Sequence, residues 1–150
     1  MHHGTLVAIN NLGVLLQGPP GIGKSNAALH LIDRHHQLIS DDCIIINKKH
    51  HKVIGTSPKE TQGKLWVYSL GLIDITSIYG PESLIKEHSI DVIITLQAHQ
   101  EKQAITSITP QPSITTLQNT GIATFMLPTL SHSNIALHIE LLLRDYHTEQ

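Results

Sequence analysis

Short apolar runs separated by polar turns occupy the first part of the chain. Residues 5–9 and 13–16 are two such runs, joined by Asn10 and Asn11, which tolerate the positive φ of tight turns. The pattern predicts a β-hairpin. Beyond Ser25, apolar residues return at helical spacing, which predicts an amphipathic helix; they are Ala27, Ala28, Leu31 and Ile32.

The middle of the chain alternates between apolar strands and polar connections. Residues 38–40 and 43–46 are predicted strands on either side of an acidic pair, and the second is expected to be buried. Residues 47–63 are polar and are predicted to form an exposed hairpin or loop. Residues 65–68 form a further predicted strand.

The second half of the chain begins with a short helix, predicted to open at Pro81 and Glu82. Strands are predicted at 90–96 and 122–127, and the polar stretch 97–119 between them is predicted to be a loop. Residues 134–146 are predicted to form a closing helix, whose apolar face is Ile135, Ile139, Leu142 and Leu143. We therefore expect one α/β domain, residues 1–150, with a mixed sheet and few helices.

Composition narrows the classes of function. The 150 residues are 40% hydrophobic, enough for one core, and a net charge of -2 provides no basic field for nucleic acid. Cys43 is the only cysteine, no apolar stretch approaches the roughly 20 residues of a membrane span, and no signal-peptide segment is present. A cytoplasmic protein without nucleic-acid or membrane partners is expected. The 12 histidines lack the helical spacing of a zinc site.

A glycine-rich loop follows the predicted hairpin and precedes the predicted helix. Its Gly-x-x-x-x-Gly-Lys-Ser pattern is that of the Walker A loop, which predicts binding of ATP or ADP with Mg²⁺. Lys24 would reach the β- and γ-phosphates, and the Ser25 hydroxyl would ligate the metal. The alternative is a glycine-rich turn without function. A dinucleotide-binding motif is excluded because Asn26 stands where its third glycine belongs. The loop residues are Gly18, Pro19, Pro20, Gly21, Ile22, Gly23, Lys24 and Ser25.

Asp41 and Asp42 follow the strand predicted at 38–40. Adjacent carboxylates at a strand end can bind a metal and activate a hydroxyl. The alternative is a solvated turn capped by an aspartate. The phosphate-binding loop upstream favours the functional interpretation.

Together these segments resemble the catalytic domain of bacterial HPr kinase/phosphorylase. The resemblance runs over most of the chain and is strongest before Cys43. Its motifs are His3-Gly4-x-Leu6-Val7, residues 13–16, the Walker A loop, Asp41-Asp42, Leu70-Gly71-Leu72-Ile73-Asp74-Ile75, Tyr79-Gly80, residues 90–94, residues 128–134, Ile135-Ala136 and Glu140.

The resemblance implies an ATP-dependent kinase that phosphorylates a serine of HPr, the phosphocarrier of the sugar phosphotransferase system, and reverses the reaction by phosphorolysis with phosphate. It implies a P-loop kinase fold related to phosphoenolpyruvate carboxykinase and a homo-oligomer, usually a hexamer. The chain would be the short form, without the N-terminal domain of longer members.

The resemblance also assigns roles to single residues. Lys24 and the loop would hold the nucleotide, and Ser25 and Asp41 would contact Mg²⁺. Asp42 is favoured as the general base, with the division of roles between Asp41 and Asp42 left open. His3 would lie beside the reacting phosphate; the alternative is a terminal histidine without a role.

Several positions depart from the family pattern. Trp66 replaces the metal-binding glutamate, Tyr68 replaces an arginine, Asn26 replaces a glutamate, and Ser133 replaces another arginine. The first functional hypothesis is therefore a protein serine kinase, and the alternative is an ATP-binding regulatory or sensor domain that has lost turnover. A small-molecule kinase is the weaker third hypothesis, because nothing resembles its lid arginines.

Overall fold

The computed structural model describes residues 1–98, 111–129 and 134–148, which form twelve strands and three α-helices. The helices are α1 (Lys24–Asp33), α2 (Ile75–Tyr79) and α3 (Ile135–Thr148). The strands are β1 (His2–His3), β2 (Thr5–Ile9), β3 (Leu12–Gln17), β4 (Gln37–Ser40), β5 (Cys43–Lys49), β6 (Lys52–Thr56), β7 (Lys64–Val67), β8 (Gly71–Asp74), β9 (Glu87–Ser89), β10 (Val92–Ala98), β11 (Ser113–Leu117) and β12 (Thr120–Thr129).

The main sheet has six strands in the order β11-β12-β10-β3-β2-β4. Strand β10 runs parallel to both β3 and β12, and the other pairs are antiparallel, so the predicted mixed sheet is confirmed. The β2–β3 hairpin is also confirmed. Its turn residues Asn10 and Asn11 have φ values of 49° and 69°, as a tight two-residue hairpin turn requires.

Each face of the main sheet is covered by a different layer. On one face, α1 and α3 pack on β-strand residues such as Val7 and Ile94. On the other, Leu6 and Ile93 pack against Ile44 and Val53 of a four-stranded sheet, ordered β1-β5-β6-β9. Because strand side chains alternate between faces, successive residues of β2 contribute to both cores.

Helices α1 and α3 confirm the predicted apolar faces. Ala27, Ala28, Leu31 and Ile32 are all buried in α1. In α3, Ile139, Leu142 and Leu143 are buried and Ile135 packs against them. No helix in the described ranges is long and apolar enough to cross a membrane.

Strand β5 corrects one prediction. Its segment 43–46 is apolar, but only Ile44 is buried, while Ile45 is exposed. The reason is that β5 lies in the smaller sheet, which packs on the main sheet through a single face. The hairpin predicted within 47–63 is confirmed as β5 and β6, which turn at His50 and His51.

The loop predicted at 97–119 is wrong for most of its described residues. Gln97 and Ala98 end β10, and 113–117 form β11, which pairs with β12 at the edge of the main sheet. Residues 99–110 of that prediction lie outside the described residues. Near Pro81 the predicted helix is one 3-10 turn, Pro81–Ser83, preceded by α2.

Glu140, in the middle of α3, connects this helix to the C-terminal end of α1. Its carboxylate accepts hydrogen bonds from Arg34, just beyond α1, and lies 3.5 Å from Nε2 of the buried His36. Burial acts to raise the pKa of Glu140, but the hydrogen bond and positive charge of Arg34 outweigh it and hold the pKa below its ordinary value.

Replacing Glu140 with Gln is expected to lower Tm at neutral pH by a few degrees, roughly 2–4 °C. Because the folded pKa is depressed, the stabilisation is present above the unfolded pKa and is lost as pH falls through the folded value. Thermal unfolding of the wild type and the Glu140→Gln variant from pH 7 to pH 3 measures whether their Tm values converge as the pH falls. Glu87→Gln is the control, since its pairing with Lys49 is exposed and contributes little. A Tm difference independent of pH would contradict the charge-based explanation.

Candidate phosphate-binding and catalytic site

The glycine-rich loop runs from the end of β3 into the first turn of α1, as its sequence predicts. Two backbone hydrogen bonds shape it. The Ile22 N–H donates to the Pro19 carbonyl at 3.2 Å, and the Ala27 N–H donates to the Gly23 carbonyl at 2.9 Å. The chain therefore curls around an open centre before the helix begins.

Two glycines permit this path. A Cβ at Gly18, whose φ is 151°, would lie 2.7 Å from the backbone oxygen of Leu96 at the end of β10. Gly23 immediately precedes α1 with a φ of 111°, a conformation that other residues rarely adopt. The loop thus requires the absence of a side chain at Gly18, where β10 approaches closely, and the backbone freedom of glycine at Gly23.

The N-terminus of α1 faces this loop. Within the described residues, no side chain caps the helix and no acidic residue lies in its first turn. The first backbone N–H groups of a helix have no partner inside it, and the helix dipole adds positive potential there. Such a terminus is suited to a phosphate group.

Lys24 is the first residue of α1. Its Nζ atom donates to the Gly18 carbonyl at 2.8 Å and to the Pro19 carbonyl at 3.3 Å. The ammonium therefore lies across the loop, held by neutral acceptors that an anionic phosphate would readily replace.

Asp41 is buried beneath the loop. Its carboxylate accepts hydrogen bonds from the Thr5 hydroxyl at 2.8 Å, the Ser25 hydroxyl at 2.9 Å and the Trp66 backbone N–H at 3.3 Å. Three donors from three elements fix its orientation. Asp41 and Ser25 consequently present oxygen atoms to the same point.

Asp42 differs from its neighbour. It is exposed and has a φ of 70°, in the turn between β4 and β5. Its backbone carbonyl accepts from the Gly4 N–H at 3.0 Å, which anchors the turn to the start of β2. Asp42 lines the same cavity as the loop residues Lys24 and Ser25.

A cavity of about 620 Å³ joins these groups. It contains five of the eight predicted loop residues and both aspartates, so the structure brings most of the predicted site residues together. The lining residues are Thr5, Pro20, Gly21, Gly23, Lys24, Ser25, Asn26, Asp41, Asp42, Trp66 and Tyr68.

His3 is placed beside the cavity and is not among its lining residues. In the β1–β5 pairing it lies opposite Cys43, with 4.0 Å between its Nδ1 atom and the Cys43 sulfur. Cys43 directly follows Asp42, so His3 neighbours the acidic pair across two strands. The predicted loop residues Gly18, Pro19 and Ile22 are also not among the lining residues. They contribute backbone groups to hydrogen bonds within the loop.

The departures from the family pattern fall into the cavity as well. Trp66, Tyr68 and Asn26 line it, where the family pattern has a glutamate, an arginine and a glutamate. Ser133 lies outside the described residues. The cavity therefore carries two aromatic rings at positions where the resemblance leads one to expect charges.

Two contributors were missed by sequence reasoning. Thr5 begins an apolar strand, and its pattern indicates only a strand, but its buried hydroxyl donates a hydrogen bond to Asp41. The Trp66 backbone N–H also binds Asp41, and a backbone donor leaves no mark in a sequence. The one sequence signal for Thr5 is that it is a polar residue at the start of an otherwise apolar strand.

Comparison with known proteins identifies the family to which the chain is similar. The family model described as "HPr Serine kinase C-terminal domain" matches residues 1–150. The HPr kinase/phosphorylase of Clostridium tetani is 38% identical over 144 residues, covering 96% of this chain and 47% of its own length. That of Mycoplasmopsis pulmonis is 38% identical over 102 residues, covering 68% of this chain and 33% of its own. The chain thus spans about half the length of the Clostridium tetani relative, and its match covers a third of the Mycoplasmopsis pulmonis relative.

Among solved structures, the HPr(Ser) kinase/phosphatase from Coxiella burnetii superposes with a TM-score of 0.92 at 27% sequence identity. The match covers 99% of this chain and 90% of that one. The predicted kinase fold is thereby confirmed.

Proposed function

This chain belongs to the family of HPr Serine kinase C-terminal domains, and on that premise we propose that it is an ATP-dependent serine kinase acting on an HPr-like phosphocarrier. The observation that carries the proposal is the single cavity shared by Lys24, Ser25, Asp41 and Asp42. Phosphoryl transfer needs a held phosphate chain, a cation site and a base near the acceptor hydroxyl. The cavity contains a candidate for each.

The donor groups around Ser25 fit Mg²⁺. The Ser25 hydroxyl and the Asp41 carboxylate lie 2.9 Å apart, and Mg²⁺ prefers such oxygen ligands. These two residues would hold the ion, and Lys24 with the loop N–H groups would hold the phosphates of ATP or ADP. When bound, the ion would neutralise charge on the phosphate oxygens.

Asp42 is the proposed general base. It is exposed in the cavity, where an acceptor hydroxyl can reach it, whereas three hydrogen bonds occupy the carboxylate of Asp41. Asp42 would accept the serine proton as the hydroxyl attacks. His3, across the strand pair, is the proposed second group beside the reacting phosphate.

The direction of reaction follows from the charge in the cavity. Phosphorolysis has to bring inorganic phosphate against a phosphoserine, and two anions need dense positive charge. Of the described lining residues, Lys24 alone is a cation, beside two aspartates. Arg34 is engaged with Glu140 elsewhere. We therefore expect kinase activity with weak or absent phosphorolysis, because a lysine lacks the bidentate fork with which arginine orients a phosphate.

The assay for direction supplies the phosphoserine form of the carrier with Mg²⁺ and inorganic phosphate, and measures pyrophosphate release at neutral pH. The forward reaction is measured in parallel with ATP. Equal rates in both directions would show that the arginines absent from this chain are dispensable for phosphorolysis.

A sensor that binds nucleotide without turnover is the second candidate. The observation favouring it is the pair Trp66 and Tyr68 in the cavity, in place of the family's glutamate and arginine. Incubation with labelled ATP, Mg²⁺ and the HPr-like proteins of the same cell separates the two candidates. Phosphoserine on the carrier supports the kinase; nucleotide binding without transfer supports the sensor.

The remaining properties are proposed from family membership. Residues 1–150 would form one catalytic domain, act in the cytoplasm and assemble as a homo-oligomer, with a hexamer as the expected state. Sedimentation velocity over a range of concentrations measures the assembly.

A further inference from the structure

The β7–β8 hairpin exposes an apolar outer face. Trp66 lies directly opposite Leu72 in the strand register, and the two are 59% and 60% exposed. Tyr68 and Leu70, at the hairpin tip, are 98% and 71% exposed. These four residues form what we call the hairpin patch.

The hairpin patch is separate from the face of the hairpin that packs on the core. Strand alternation turns Leu65 and Val67 of the same strand inward, where both are buried in the main core. An outward face with this alternation normally carries polar residues. Here only the opposed pair Lys64 and Asp74 is charged, at the end away from the tip. Contiguous exposed apolar surface of this kind is typical of binding sites.

The position of the hairpin patch identifies its occupant. Trp66 and Tyr68 line the same cavity as Lys24 and Asp42, so the patch forms part of the cavity rim. A serine on the surface of a protein can reach Asp42 only if the surface around it rests on that rim. Tyr68 lines the cavity and is nevertheless almost fully exposed, so its ring is open to a partner outside the cavity.

We propose that the hairpin patch docks the protein acceptor through apolar side chains that border its phosphorylated serine. This inference rests on the proposed kinase function. The opposed charges of Lys64 and Asp74 leave the patch without a net charge, so the matching surface of the acceptor is uncharged and apolar. The departures Trp66 and Tyr68 then serve recognition, in place of the family's charged groups.

The test is a double variant, Leu70→Ser with Leu72→Ser, in the full chain. Neither residue lines the cavity and both are exposed, so folding is preserved. The KM for an HPr-like carrier is expected to rise about tenfold, since two leucine contacts are lost. The kcat and the Kd for ATP are expected to stay within twofold. Ile78→Ser with Ile114→Ser is the matched control, since these isoleucines are 62% and 69% exposed on α2 and β11.

Three results would overturn the proposal: an unchanged carrier KM, a loss confined to ATP affinity, or altered sedimentation with an unchanged carrier KM. The second would make the patch a platform for the nucleobase, and the third a contact between copies. Failure of the kinase proposal is separate, because it shows as no transfer by the wild type. Calorimetric titration of the same carrier into wild type and variant then measures docking directly. Equal affinity for the two proteins, or no binding to the wild type, rejects the docking proposal.

Discussion

Replacing Asp42 with Asn is expected to reduce kcat for transfer from ATP to the carrier by about 10²–10⁴-fold. The amide cannot accept the serine proton, while the Kd for ATP should change little, since a base acts in the transition state more than in the ground state. Asn tolerates the φ of 70° at this position, so the turn should survive. Transfer is measured as phosphoserine formed, and nucleotide binding by calorimetry.

Two variants serve as comparisons for Asp42→Asn. Asp145→Asn, on the exposed side of α3, should have full activity. Asp41→Asn should lose thermal stability as well as activity, because its amide would meet donors at both carboxylate oxygens. If Asp42→Asn keeps turnover, the base lies elsewhere, and His3 becomes the first candidate.

Replacing Lys24 with Ala is expected to weaken ATP and ADP binding by about 100-fold, or ~2.7 kcal/mol. Lys24 is the single cationic side chain among the described residues lining the cavity, so nothing there can take over its charge. Its Nζ atom contacts only loop carbonyls, and the variant should therefore fold normally. Calorimetry with Mg²⁺ and ATP measures the effect.

Lys59→Ala is the matched control for Lys24→Ala, since Lys59 is exposed in a 3-10 turn outside the cavity. Its affinity for ATP should equal that of the wild type. Equal affinity of the Lys24 variant and the wild type would remove the basis for nucleotide binding at this loop. Lys24→Arg is informative too, because a planar guanidinium is not equivalent to a compact ammonium.

Local patterns predicted the elements whose signals are local. Asn10 and Asn11 specify a tight turn, and α1 follows from four apolar positions at helical spacing. The family resemblance is confirmed by the match over residues 1–150 and by the shared fold. The signals for the tight turn and for α1 depend only on neighbouring residues.

The missed elements depend on tertiary context. Strand β11 is rich in Ser and Thr and half exposed at a sheet edge, so its composition is that of a loop. The strand predicted at 65–68 is confirmed as β7, but its partner β8 was missed, because the hairpin carries apolar residues on both faces and this hides the alternation. Helix α2 did leave a signal: Asp74 caps it and Gly80 ends it, but it is only five residues long.

At the candidate site, the sequence identified the candidate functional residues, and the structure shows which of them lie close together and which are buried. The loop and the aspartate pair follow from a motif and a strand end. That Asp41 is buried under three donors while Asp42 is exposed follows from the turn between β4 and β5, where only Asp42 adopts a positive φ. Which aspartate is the base stays a prediction.

The parallel pairing of β10 has a consequence for the order of folding. Val92 pairs with Val14 on one side and with Ala123 on the other, so this strand joins segments distant along the chain. Such contacts form slowly, because closing long loops costs entropy before the contact is gained. The β2–β3 hairpin can form early, but the end of β10 that fixes Gly18 arrives late. A folding chain therefore passes through its early stages without a phosphate-binding loop, and ligand cannot stabilise it until its slowest pairing is complete.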